Sequence, residues 1–292
     1  MHSFHKVTSK MKLKHYATLA SASFVSTAFA TQSLPGGPQV NGIDFQQPVT
    51  SIAYDQRSLN YMVMLICLAI GLLVFGAMFY SAIKFRKSKG AVPAKFHEST
   101  VVEVIWTVIP LLIVIGMVIP ATKVVLAQED VAHSFMTVKV TGYQWKWGYD
   151  YLDGPGKGIS FYSTLTTPMA EIYGKEAKPD NYLLQVDHPL VVPVNEKVRI
   201  MTTAADVLHG WYVPAFGVQM DAIPGESRET WLKVDKPGTY YGQCAQICGK
   251  GHAFMPIVVK VLPLDQYQAW VKSTEAVFKK NGGSYPPSGA DS

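Results

Sequence analysis

The stretch LNYMVMLICLAIGLLVFGAMFY, Leu59 to Tyr80, lies at the centre of 26 consecutive residues without a charge, Ser58 to Ile83. Coiled as an α-helix at ~1.5 Å per residue, such a run exceeds the ~30 Å hydrocarbon core of a bilayer. A second uncharged segment of 19 residues, Val104 to Thr122, holds Pro110 and Pro120, which membrane helices tolerate better than soluble ones. Buried helices of a soluble protein are the alternative, and two such lengths in succession argue against it. The pair predicts a two-helix membrane hairpin over residues 58–126.

Charge orients the hairpin. Lys84, Arg86, Lys87, Lys89 and Lys95 crowd the connection 84–100, and the positive-inside tendency places it in the cytoplasm. Upstream, Lys6, Lys10, Lys12 and Lys14 precede an uncharged run from Tyr16 that ends in Ala28-Phe29-Ala30. A basic start, a short apolar middle and an Ala-x-Ala end describe a cleavable signal over residues 1–30, read from Met1 or Met11. A third membrane helix is disfavoured by the run's shortness and its Ser, Thr and Ala. Residues 31–57 and everything beyond 126 then lie outside, in the periplasm of a bacterial inner (plasma) membrane.

This distribution disposes of the net charge of +5, which would otherwise invite a nucleic-acid reading. From Ala127 to Ser292 there are 15 Lys and Arg against 17 Asp and Glu, so the external part is slightly acidic. No nucleic-acid partner is implied.

The external part, residues 127–272, changes texture to short runs separated by turn residues. Met136, Val138 and Val140 alternate with Thr137, Lys139 and Thr141, the period of a half-buried strand. The apolar phase then slips by one, to Tyr143, Trp145, Trp147, Tyr149 and Tyr151, which predicts a bulge or bend at Thr141-Gly142. Further strands are expected at 183–186, 197–202, 229–234, 238–242 and 257–261. Together they suggest an all-β sandwich or barrel. Residues 152–181 read as an irregular insertion and 273–292 as a flexible tail, disordered after Phe278.

The chemistry concentrates in QCAQICGKGHAFM, Gln243 to Met255. Cys67 falls within the first apolar helix and reads as a packing residue. Cys244 and Cys248 alone would suit a disulfide in an oxidising compartment. Their neighbours change that reading: His252 and Met255 follow in the same loop, and His209 ends the upstream run Asp206-Val-Leu-His209. Two thiolates, two imidazoles and a thioether form a soft set that selects copper over Mg²⁺ or Ca²⁺. A mononuclear blue-copper site needs only one thiolate. If both cysteines bridge, two copper ions can share them, each capped by one histidine, with Met255 and a backbone carbonyl as weak outer ligands.

These residues resemble subunit II of the haem–copper cytochrome c oxidases. The resemblance rests on Glu103-Val-Ile-Trp-Thr-Val-Ile-Pro110, Gly142-Tyr-Gln-Trp-Lys-Trp147, Asp206-Val-Leu-His209, Asp221-Ala-Ile-Pro-Gly225, and Tyr240-Tyr-Gly-Gln-Cys244 through Pro256. It implies a membrane α-helical hairpin followed by a cupredoxin-like Greek-key β-sandwich or barrel carrying the dinuclear CuA centre. His209, Cys244, Cys248, His252 and Met255 would be ligands by side chain, and Gln246 by its carbonyl oxygen. Trp145 would be the point of electron entry from cytochrome c, with acids such as Asp150, Asp187 and Asp206 steering a basic donor. Haem would lie only in the partner, oxidase subunit I, among the other oxidase subunits, and oxygen reduction would be coupled to proton translocation. Glu103 would lie at a proton-entry path, although an acid near a helix N-terminus is favourable there in any case. The family has Glu where this chain has Gln246, and that carboxylate helps to bind Mg²⁺ or Mn²⁺ between subunits. An uncharged amide predicts a weakened or absent site. The alternative function is a membrane-tethered copper-binding or delivery protein without redox turnover. A copper-free quinol oxidase subunit is argued against by Cys244 and Cys248, and a fused c-type cytochrome by the lack of Cys-x-x-Cys-His.

Overall fold

The computed structural model describes residues 33–280. The expected signal peptide and residues 281–292 of the expected tail lie outside the described residues.

Two helices, α1 (Ser51–Lys84) and α2 (Thr100–Glu129), are long and apolar enough to cross a membrane. Leu65, Leu72 and Phe75 on α1 and Ile109, Leu112 and Ile119 on α2 are all exposed. Such apolar surface suits lipid as its solvent. Cys67 is exposed on α1. Both helices overrun the uncharged segments, because their outer ends stand on the β domain. Thr50 caps α1: its Oγ1 accepts from the Ala53 amide at 3.0 Å and donates to the Phe216 carbonyl at 2.6 Å. One turn on, Gln56 Nε2 donates to the Gly217 carbonyl at 2.7 Å. At the far end of α2, Trp231 Nε1 donates to the Ala127 carbonyl at 2.9 Å. Lys197 Nζ donates to the Ala132 carbonyl at 2.8 Å and lies 3.5 Å from an Asp130 carboxylate oxygen. Both outer ends of the hairpin are thereby tied to the sandwich.

The β domain is two five-stranded sheets. One has the order β3 (Ser160–Ser163), β2 (Lys146–Tyr151), β1 (Met136–Tyr143), β5 (Val198–Ala204), β8 (Arg228–Leu232). The other runs β4 (Leu190–Pro193), β10 (Pro256–Leu262), β9 (Gly238–Cys244), β6 (His209–Val213), β7 (Val218–Ala222). Pairing is antiparallel except for β1 with β5 and β4 with β10. Both sheets contribute to one core, including Val138, Trp147, Tyr149 and Ile200 from the first and Leu190, Trp211, Ile257 and Val259 from the second. A short helix α3 (Met169–Ile172) lies in the connection to β4, and α4 (Leu264–Lys280) follows β10.

Several expectations need correction. There is no bulge at Thr141-Gly142: β1 and β2 pair without interruption from Val138↔Tyr151 to Tyr143↔Lys146. The phase slip is a two-residue turn at Gln144-Trp145, after which the even residues of β1 and the odd residues of β2 share one face. Leu183–Val186 is not a strand but carries one isolated bridge, Leu165↔Val186. The strand lies at β4 instead, where Leu190, Val191 and Val192 are all buried and so show no alternation. Strand β3 interrupts the region read as irregular. Residues 273–280 are helical rather than a flexible tail, since Tyr267, Val271, Thr274 and Phe278 bury one face of α4.

Candidate metal centre

His209 opens β6, Cys244 closes β9, and Met255 immediately precedes β10. These three strands are neighbours in the order β10-β9-β6, so the sheet gathers ligands that are distant in sequence. The pairing Trp211↔Cys244, with the Ala245 amide donating to the Gly210 carbonyl at 2.9 Å, fixes the register that brings His209 to the cysteine loop.

The donor atoms of His209, Cys244 and Cys248 lie within 4.8 Å of one another, and all three residues are buried. The two Sγ atoms are 3.9 Å apart, far beyond the ~2.05 Å of a disulfide; both cysteines are free. Each sulfur has its own imidazole: Cys244 Sγ is 4.0 Å from His209 Nδ1 and Cys248 Sγ 3.6 Å from His252 Nδ1. Met255 Sδ is 3.5 Å from Cys248 Sγ, and the Gln246 carbonyl oxygen 3.3 Å from Cys244 Sγ. All six sequence-predicted positions therefore converge. Soft sulfur and imidazole donors in a dry pocket fit copper.

The surroundings hold this set still. His209 Nε2 lies 2.9 Å from Asp206 Oδ1, leaving Nδ1 directed at the thiolates, the carboxylate–histidine relay common behind metal ligands. Asp206 also accepts from the Gln144 amide at 2.7 Å and the Val207 amide at 2.6 Å. Burial raises its pKa, but these hydrogen bonds outweigh that and leave the carboxyl below its usual value. Trp147 is fully buried, and its Nε1 donates to the Met255 carbonyl at 3.1 Å. A Cβ on Gly142 would come within 2.7 Å of the His209 ring, so that glycine is the space the imidazole occupies. Asp206, Trp147 and Gly142 were not assigned these roles from sequence. A carboxylate three residues before a ligand histidine was the available signal.

The thiols titrate apart. Burial raises Cys244, yet hydrogen bonds from His209 and the Gly210 and Gln246 backbones bring it down to about 7. Burial, and then the neighbouring Cys244 charge, push Cys248 up to about 12. Metal ligation needs both as thiolates. Loading of the apo domain is therefore expected to release more protons as pH falls through about 7. Calorimetry in buffers of different ionisation enthalpy reads this; a proton release independent of pH would contradict it.

Trp145 lies half-buried in the β1–β2 turn, its Nε1 donating to the Cys248 carbonyl at 3.2 Å. Gln144 Nε2 donates to the same carbonyl at 2.8 Å. The indole lies against the ligand loop, where a Cβ on Gly251 would come within 2.3 Å of it. The three acids expected to steer a donor are each held by hydrogen bonds that leave their charge in place. Asp206 orients His209. Asp150 accepts from Ser160 Oγ at 2.5 Å. Asp187 accepts from the amide and hydroxyl of Thr164 and from the His188 amide, with its side chain only 9% exposed. Glu103 sits in the first turn of α2, where its carboxylate accepts from the Ser99 amide at 3.4 Å.

Residues 136–262 match the family "Cytochrome C oxidase subunit II, periplasmic domain", and residues 38–124 match its "transmembrane domain". The chain belongs to the cytochrome c oxidase subunit II family. Cytochrome c oxidase subunit 2 of Cereibacter sphaeroides is 35% identical over 92% of this chain and 91% of its own. The probable subunit 2 of Rickettsia bellii is 38% identical over 87% and 90%. The crystal structure of the periplasmic domain of the Bradyrhizobium japonicum subunit covers 51% of this chain and 99% of its own, at 43% identity and a TM-score of 0.44. This chain is thus a membrane-protein subunit of an oxidoreductase.

Proposed function

We propose that this chain is the electron-entry subunit of its oxidase, accepting electrons from cytochrome c and delivering them to haem in subunit I, where oxygen is reduced to water with coupled proton translocation. The observation that carries the reading is the free thiol pair, 3.9 Å apart and flanked by two imidazoles. His209, Cys244, Cys248, His252, Met255 and the Gln246 carbonyl would hold a dinuclear copper centre. Copper bound there supplies a one-electron relay. The chain's own part is to keep the donors fixed and dry: His209, Cys244, Cys248 and Met255 are at most 7% exposed. Fixed ligands need little reorganisation between oxidation states. Trp145 links the loop to the surface by one hydrogen bond to the backbone of Cys248. Glu103 is assigned to proton entry at the cytoplasmic end of α2, in addition to closing that helix's first turn. The basic 84–100 loop supports a cytoplasmic connection and a periplasmic β domain.

The EPR spectrum of the oxidised, copper-loaded holo-oxidase tests this reading. Seven hyperfine lines from two equivalent coppers are expected. A four-line mononuclear signal overturns the dinuclear assignment, and purification without haem would favour a copper-delivery protein.

The donor set does not fit the family's Mg²⁺ or Mn²⁺ site. Gln246 Nε2 donates to Asp221 Oδ1 at 3.0 Å, so the amide is committed to a carboxylate. We assign a weakened or absent cation there. In Gln246→Glu two carboxylates would face each other, a repulsion that a divalent cation relieves. That variant is expected to gain Mn²⁺ in the assembled enzyme while its copper spectrum persists. Full Mn²⁺ occupancy in the native enzyme would refute the assignment.

A further inference from the structure

We infer that Trp147 is a positioning residue for the copper pair, setting its reduction potential through the backbone of Met255. The inference rests on the dinuclear reading above. A thioether is a weak acceptor at the end of a flexible, unbranched side chain, so where its sulfur rests follows from where its backbone is held. The Met255 backbone leaves a single 3₁₀ turn, His252–Phe254, and enters β10 at Pro256, which has no N–H to offer the ladder. Trp147 supplies an anchor at this point, its Nε1 donating to the Met255 carbonyl at 3.1 Å. The bond crosses between the sheets: Trp147 lies on β2 of the first, and Met255 opens onto β10 of the second.

The same indole meets the His209 ring edge-on, with centroids 5.9 Å apart and planes at 65°. It pairs in the β1–β2 ladder with Gly142, the glycine that leaves room for that imidazole. Trp147 is 0% exposed and Met255 1%, so the indole cannot touch a docked protein and acts only through the ligands. The other donors have fixtures of their own. Asp206 backs His209, Gln144 and Trp145 hold the Cys248 carbonyl, and the β6–β9 pairing places Cys244. Phenylalanine at 147 would fill most of the same space but bring no N–H. The Met255 carbonyl would then be buried without its donor, a cost that the segment relieves by shifting. Such a shift draws Sδ away from its metal position. A sulfur lone pair stabilises the more oxidised state of the ion it faces, so a longer contact raises the potential, as axial ligands do in copper sites.

The test compares Trp147→Phe and Met255→Leu, singly and together, in the purified holo-oxidase, by redox titration followed through the EPR signal and by copper content. Trp147→Phe is expected to keep the copper pair and to favour its reduced form about tenfold, a rise of ~59 mV for one electron. That is the lower end of the ~10- to 100-fold cost of losing a partner behind a metal ligand. The seven lines should become unevenly resolved as the two ions cease to be equivalent. In Met255→Leu the thioether is already gone, so adding Trp147→Phe should move the ratio by less than about twofold. A residue that merely packs would produce the same shift in both backgrounds, and that result overturns the inference. So does a potential in Trp147→Phe that falls, or that stays within about twofold of native in this ratio. Should Trp147→Phe fail to hold copper, Trp147→Tyr is read in the same way; loss of the copper pair from both variants makes Trp147 a packing residue and refutes its tuning role. A native enzyme without the seven-line spectrum refutes the dinuclear reading itself, and this inference with it.

Discussion

Replacing Cys248 with serine is expected to abolish the seven-line spectrum and to lower electron entry from cytochrome c by more than ~100-fold. Loss of a partner behind a metal ligand already costs ~10- to 100-fold, and Cys248 is itself a donor. Its sulfur lies 3.9 Å from Cys244 Sγ, 3.6 Å from His252 Nδ1 and 3.5 Å from Met255 Sδ. A serine hydroxyl is a hard, weakly acidic donor that cannot bridge soft ions as a thiolate does. What remains is one thiolate, two imidazoles and a thioether, the donor set of a mononuclear copper site. Copper content should therefore drop from about two to about one per chain, with a four-line signal. Because Cys248 lies in a loop rather than a strand, both sheets should persist, which circular dichroism of the holo-oxidase checks. A variant that keeps seven lines would show that the sulfur at position 248 is not a shared ligand.

How much of this was legible in the sequence depended on the range of the interaction that fixes each feature. The membrane helices and the cysteine loop are local, and their residues carry the signal directly. His209 sits 35 residues before Cys244; chemistry suggested the association, but only the β6–β9 pairing secures it. The β1–β2 hairpin was misread because its turn, Gln144-Trp145, has none of the Gly, Asn or Asp that mark tight hairpins. A parity slip without turn chemistry looks the same as a bulge. Strand β4 was missed because Leu190, Val191 and Val192 are all buried, leaving no alternation to find. In α4 the helical spacing of Tyr267, Val271, Thr274 and Phe278 was present and outweighed by the Gly- and Pro-rich residues that follow. Asp206 and Asp187 read as surface acids because nothing local shows what a carboxylate binds. Their hydrogen bonds to His209 and to Thr164 are products of the fold.

The second large effect belongs to Trp145. Trp145→Ala is expected to cut the second-order rate of reduction by cytochrome c at least ~30-fold, the range for truncating an aromatic anchor at ~2 kcal/mol or more. The copper spectrum should remain, because the indole is no ligand and bonds the Cys248 carbonyl at 3.2 Å. Gln144 Nε2 still holds that carbonyl at 2.8 Å when the indole is gone, which keeps the loop from collapsing. Transfer from copper to haem, started by a photoreductant instead of cytochrome c, should be unaffected. That separation distinguishes a port of entry from a packing residue, whose loss would disturb copper, haem transfer and entry together. Gly251→Ala supplies the complementary perturbation. Its new Cβ would stand 2.3 Å from the indole, too close for both to keep their places. The ring must shift outward while every ligand side chain is retained. If entry depends on the indole lying against the ligand loop, this one methyl slows reduction by cytochrome c without deleting any group that carries the electron. A native entry rate in Gly251→Ala, alongside a slow one in Trp145→Ala, would mean that the tryptophan serves docking alone and that the electron reaches the thiolates by another path.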